Sequence, residues 1–286
     1  MAQFFDYPLN YGMNRADCTE YTDNDYNTYR GGHGVSYIPD CTSHIDSTGD
    51  GTGTARPFTH IFIKGSGITN YNIGFSGSTP AQLGRIIGFT IPANVTNDSS
   101  QTVSTTINGI QHQLLNIWPD WPDIIKQHDP ALRNKPSTAP SATSITIEFI
   151  GTNMRLYQVM VLNEILNLGT DDIFSKLEYD SINLGSNQED VRRRFSYMPP
   201  INNERDKWLV NYSALPRNGT ETSSDTIADN VMDFIRKYKH FSFAPEYTRY
   251  PDRVFPAVWP QSSTQIRYLS RSKAAGRRIN FSVREA

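Results

Sequence analysis

The run Ser144-Ile-Thr-Ile-Glu-Phe149 places an apolar residue at every second position. That period of two puts Ile145, Ile147 and Phe149 on one face of an extended strand, where a helix would scatter them. The same signature recurs along the chain. Phe58-Thr-His-Ile-Phe-Ile63 alternates around Phe58, His60 and Phe62, and Gly65-Ser-Gly67 then reads as a turn. Ile68 to Phe75, Arg85 to Ile91 and Val103 to Leu115 are each bounded by Gly, Pro, Asn or Ser, the spacing of an antiparallel sandwich. Leu156 to Leu168 reads as a strand leaving a hairpin at Gly151-Thr-Asn153, followed by a helical turn before Gly169. Further strands are expected at Phe174 to Tyr179, Lys207 to Tyr212, His240 to Phe243, Gln265 to Leu269 and Arg278 to Val283. One helix is expected over Thr226 to Tyr238. Ser223, Ser224 or Asp225 can cap it, and Ile227, Val231, Phe234, Ile235 and Tyr238 form its apolar stripe. The fold class is therefore mainly β: an antiparallel β-sandwich, then a second β-rich barrel or sandwich domain with one packed helix.

A chain of 286 residues is long enough for two domains. Its 12% aromatic and 20% charged content excludes disorder. No apolar run approaches a membrane span, and Met1 to Asp6 lacks the basic residues and cleavage site of a signal peptide, so folding in a cytoplasm is expected. The Pro-rich run from Pro130 to Pro140 and the change of charge after it suggest a division between residues 140 and 180. The expected organisation is a loop-rich arm over 1–56, a sandwich over 57–168 and a β-rich assembly domain over 169–286, with its helix at about 226–238.

Charge divides the chain more sharply than hydropathy. Up to Val191 the sequence holds 10 Lys and Arg against 20 Asp and Glu, whereas from Arg192 onward it holds 17 against 9. The net charges are −10 and +8, which together give the −2 of the whole chain. Either two solvated faces differ, or the halves complement one another between neighbouring copies or toward a partner. Arg outnumbers Lys by 19 to 8, and Arg is the cation suited to interfacial bidentate pairing. Arg192, Arg193 and Arg194 are the interface candidates. The basic half has no helix-turn-helix, zinc-finger or RNA-recognition pattern, so no specific nucleic acid is expected.

Catalytic signatures are missing. Gly74-Phe-Ser-Gly77 has the wrong spacing for a nucleophile elbow, and no phosphate-cradling glycine loop follows a strand. The six histidines, His33, His44, His60, His112, His128 and His240, form no metal-ligand spacing and read as surface or sheet residues. Asp46-Ser-Thr-Gly-Asp-Gly51 spaces carboxylates beside glycines but lacks the later ligands of a calcium loop, so a polar turn is the expectation. No enzyme activity, metal or cofactor is expected. Cys18 and Cys41 either close a disulfide in an oxidising setting or remain two thiols. Trp118, Trp121, Tyr26 and Tyr29 lie in loop-like stretches, where flat rings either stack on sugars or plug the ends of the sandwich.

Two resemblances follow from these residues. Thr59-His-Ile-Phe-Ile-Lys-Gly65, Ser144-Ile-Thr-Ile-Glu-Phe-Ile-Gly-Thr-Asn153 and Val159-Met-Val-Leu162 resemble the strand pattern of discoidin-like, galactose-binding jelly-roll sandwiches, over a third to a half of the chain. The second half is similar in element order to the distal-tail family of tailed-phage tail tips and baseplates. That order is a basic turn at Arg192 to Arg194, a Lys207-Trp208 strand, a capped helix, an aromatic strand and a final strand Ile279-Asn-Phe-Ser-Val-Arg-Glu285. The resemblance implies a virion structural protein, a ring or adaptor subunit of the tail or baseplate, made in the host cytoplasm. It implies partners that are copies of itself, other tail or baseplate proteins and, at the host surface, a glycan. It carries over no residue-level site. The alternative expectation is a non-catalytic carbohydrate-binding protein, or an accessory module of a glycan-degrading system.

Overall fold

The structure, a computed structural model, describes residues 3–10, 30–32, 37–46, 48, 50–78, 89–92, 103–118, 137–167, 176–183, 204–214, 233–245, 254–259, 265–268 and 277–285. It divides into two compact units. One comprises Gln3–Asn167 with Glu246–Val254; the other comprises Met1–Ala2, Leu168–Pro245 and Phe255–Ala286.

The first unit holds β1 (Gln3–Phe5), β2 (Arg30–Gly32), β3 (Tyr37–His44), β4 (Arg56–Pro57), β5 (His60–Ser76), β6 (Phe89–Pro92), β7 (Val103–Ile107), β8 (Ile110–Leu115), β9 (Ser141–Ala142), β10 (Ser144–Leu162) and β11 (Glu164–Asn167). Its main sheet runs in the order β2-β10-β5-β8-β7, with β3 also on β10 and β6 also on β5. β5 and β10 form its axis. They pair antiparallel from Ser144↔Ser76 to Leu162↔His60, and the register breaks in the middle, where Gly151 faces Ile68 but Arg155 faces Ser66. Three residues of β10, Thr152 to Met154, thus stand against Gly67 alone, which is a bulge.

The bulge bends the ladder and changes its neighbours. Beyond it β10 takes β3 and β5 takes β6; before it β10 takes β2 and β5 takes β8. Gly67 has φ of 68°, and a Cβ there would lie 2.4 Å from the Thr152 carbonyl oxygen. Only glycine fits such a backbone approach. Gly65-Ser-Gly67 and Gly151-Thr-Asn153 therefore bend two continuous strands, where the sequence reading placed a turn and a hairpin. The two arms of the bent ladder bury one core, to which Ile61, Ile63, Val159 and Val161 contribute from one arm and Ile73, Phe75, Ile145, Ile147 and Phe149 from the other. Phe58, just before β5, stacks on Phe75 near its end.

Two side-chain amides complete this ladder where backbone cannot. Asn10 donates to Val159 O and accepts from Val161 N–H, both at 2.9 Å, while Leu9 N–H donates to Val161 O. The chain before residue 11 thus runs along β10 as a surrogate strand. Gln111 does the same at the bend, accepting from Ile68 N–H at 2.9 Å and donating to Ile68 O at 2.7 Å. Buried backbone groups demand such partners.

Two local expectations are corrected here. Val103 to Leu115 is a hairpin rather than one strand, because Asn108 (φ 52°) and Gly109 (φ 78°) make the two-residue turn that Asn-Gly favours. The expected helical turn after Leu162 is the strand β11, which pairs β1.

The second unit holds β12 (Lys176–Asn183), β13 (Glu204–Ala214), β14 (His240–Ala244), β15 (Phe255–Val258), β16 (Gln265–Tyr268) and β17 (Arg277–Glu285). They run antiparallel in the order β14-β15-β17-β13-β12, with β16 also on β17. The register matches apolar with apolar, setting Trp208 against Val283, Val210 against Phe281 and Tyr212 against Ile279. Helical residues 233–237 carry Phe234, which is buried against Phe241 and Trp259 edge to face at 5.3 and 5.8 Å. Trp259 Nε1 donates to Tyr238 O at 2.6 Å, so the ring also fixes the end of the helix. Ile235, expected on the buried stripe, is only half-buried, and residues 226–232 lie outside the described residues. The protein is thus mainly β, built of open antiparallel sheets with one short packed helix; among the described residues neither sheet closes into a barrel.

Candidate functional site

The densest cluster of chemistry-bearing side chains in the first unit lies where β5 begins. The alternation that runs Phe58, His60, Phe62 is buried on both faces. Ile61 and Ile63 face the common core, and His60 and Phe62, on the opposite face, are equally inaccessible. His60 is held edge-on against Phe5, with ring centroids 5.0 Å apart. Its Nδ1 lies 2.7 Å from Thr59 Oγ1, and its Nε2 lies 3.9 Å from a Glu164 carboxylate oxygen. The same oxygen accepts from the Gln3 side-chain amide at 2.6 Å and from Asn167 Nδ2 at 3.4 Å.

A hydroxyl, an imidazole and a carboxylate in this order have the outline of a nucleophilic triad. The surroundings decide against it. Thr59 Oγ1 already accepts the Glu164 N–H at 2.7 Å, and Thr59 and His60 are 2% and 0% exposed, leaving no room for a substrate. Burial lowers the His60 pKa from 6.5 to about 3, outweighing the carboxylate 3.9 Å away, so the ring is neutral. The cluster is a latch that ties the start of β5 to the β10–β11 corner, where Thr59 N–H also donates to Leu162 O. Sequence reading missed it because Glu164 and Gln3 are distant in the chain. The available signal was a histidine inside an apolar alternation.

The Asp46 to Gly51 stretch forms the expected polar turn. Asp50 Oδ1 accepts from Thr52 N–H at 2.9 Å, from the Thr52 hydroxyl at 2.7 Å and from the Thr48 hydroxyl. These bonds, Thr48's foremost, hold the Asp50 pKa down to about 2. Asp46 is buried and accepts from Gly53 N–H at 2.7 Å. The carboxylates thus serve the loop itself, and among the described residues no group of three or more His, Cys, Asp or Glu could hold a metal.

Of the expected aromatic candidates, Trp118 is half-buried, with its N–H donating to Thr59 O at 3.1 Å beside the latch. Trp121, Tyr26, Tyr29 and the triplet Arg192, Arg193 and Arg194 lie outside the described residues, as does Cys18. Cys41 stands in β3 opposite Ile147. The structure therefore does not bring the candidates together into one site. Among the described residues no helix is long and apolar enough to cross a membrane. None of the protein-family models, curated proteins or solved structures compared with the chain matches it.

Proposed function

We propose that the chain is a virion structural protein, a ring or adaptor subunit of a phage tail or baseplate that contributes to tail assembly and to attachment of fibres or host contact. The observation that carries this reading is the build of the second unit. β13, the helix at 233–237, the aromatic strand β14 and the terminal strand β17 follow one another in the order of the distal-tail resemblance, and the three strands belong to one antiparallel sheet. The division of charge into −10 and +8 supports association between copies. The one triad-like cluster, at Thr59 and His60, is sealed and serves as a latch, which supports a non-catalytic role.

Mass in solution and class-averaged electron images of the purified full chain test the reading. A closed assembly of several copies is the expected result. A chain that stays monomeric at every concentration and salt level overturns it.

A further inference from the structure

Between Asp252 and Glu285 the sequence carries seven Lys and Arg residues and no Asp or Glu. Part of this acid-free stretch is folded as the β16–β17 ladder. The register sets Arg267 opposite Arg278, Tyr268 opposite Arg277 and Gln265 opposite Asn280. On the other side of β17, Arg278 meets Ser213 and Arg277 meets Ala214, so no carboxylate stands on these rungs. Farther along, Arg284 faces Lys207, which has Asp180 as its other neighbour. Like charges directly opposite in an antiparallel pair repel one another. The Lys207 rung has an acid to offset this repulsion; the Arg267–Arg278 rung has none.

Among the described strands β16 pairs only β17, so its other side is a sheet edge. A sheet edge that concentrates uncompensated cations is suited to an anionic surface. The chain itself supplies one, since residues up to Val191 carry −10. We infer that the β16–β17 edge, centred on Arg267 and Arg278, is the surface with which one copy docks on the acidic N-terminal portion of a second copy. The inference rests on the reading of the chain as a self-assembling subunit and assigns that assembly a specific contact. Docking there places anions beside the repelling pair and is weakened by salt, because exposed charges are screened within about 10 Å at 0.1 M.

The test is sedimentation velocity of the full chain and of the double variant Arg267→Ser/Arg278→Ser, from about 25 mM to about 0.5 M NaCl. The parent is expected to associate most strongly at low salt. The variant should associate at least tenfold more weakly there, with the difference fading as salt rises, while its thermal unfolding matches the parent's. Should the double variant fail to fold, Arg277→Ser, on the neighbouring rung, takes its place. Association that is the same in variant and parent at every salt level overturns the inference and leaves the ring reading standing if the assembly has a closed mass. Open, non-ring association that the variant weakens upholds the inference and removes the ring. A parent that is monomeric throughout overturns both, as does a parent that binds a short DNA duplex without self-associating.

Discussion

The rings of Phe58 and Phe75 lie 5.5 Å apart and within 13° of parallel, although a straight strand would hold their backbones about 56 Å apart. The stack is possible only because β5 bends with its partner β10, so that residues from the two ends of one strand meet in a single core. It reports on the closure of the first unit more directly than any hydrogen bond within either arm. Phe75→Ala removes a ring that is 7% exposed and is expected to cost about 3 to 5 kcal/mol. Urea unfolding followed by fluorescence measures it. A loss under about 1 kcal/mol would mean that the two arms hold together without the stack.

The bend itself depends on Gly151. A Cβ at that position would lie 2.0 Å from the Gly67 carbonyl oxygen, an impossible approach to backbone. Gly151→Ala is therefore expected to cost more than about 3 kcal/mol, well above the ordinary range for a surface change. By contrast Gly109→Ala meets no neighbouring atom, so its cost comes from the positive φ of 78° alone. Comparing the two unfolding midpoints separates collision from backbone strain. Equal losses would contradict the close approach.

Asn10 tests the surrogate strand. Asn10→Ala strands a buried carbonyl at Val159 and a buried N–H at Val161, at about 1 to 3 kcal/mol for each group left unpaired. Asn10→Asp keeps the acceptor for Val161 and loses the donor to Val159, so it also destabilises. Hydrogen exchange gives a local readout: the Val161 amide should exchange faster in Asn10→Ala than in Asn10→Asp at neutral pH. The same rate in both would mean that the side chain does not protect that amide.

His60 makes stability depend on pH. Its folded pKa, lowered to about 3, lies below its unfolded value near 6.5, so the unfolded chain binds the proton first. The contribution of the neutral ring is fully present above about pH 6.5. It is lost at about 1.4 kcal/mol per pH unit as pH falls from there toward 3. His60→Leu should flatten the slope of unfolding free energy between pH 6.5 and pH 4 by roughly that amount, whatever its effect at pH 7. Parallel slopes in parent and variant would place the acid sensitivity elsewhere.

Phe234 anchors the helix of the second unit. Its ring is 3% exposed and touches Phe241, Trp259 and Tyr238, so Phe234→Ala should cost about 3 to 5 kcal/mol. Trp259→Phe keeps most of the packing and loses the hydrogen bond to Tyr238 O, at about 1 kcal/mol. Denaturant midpoints for the two variants check the order. A larger loss for Trp259→Phe would mean that the indole N–H, rather than Phe234, holds the helix end.

The sequence by itself determined that this chain is β and which faces of its strands are apolar. Ile145, Ile147 and Phe149 alternate in sequence and are buried together, because the period of two is a local property of extended backbone. The buried side chain of Phe234 was legible for the same local reason, in the helical period. Asn108-Gly109 was legible too, but the apolar residues on either side were read through it as one strand. What only the tertiary structure decided is whether a glycine pair reverses the chain or bends it. Gly65 to Gly67 permits either, since a positive φ serves a hairpin turn and a bulge alike. The choice fell to β10, whose three extra residues stand opposite Gly67 and carry both strands onward into the second arm. The latch was equally out of reach of local pattern: Gln3, Thr59, His60 and Glu164 lie far apart in sequence, and burial on both faces of β5, which neutralises the imidazole, is a property of the assembled core.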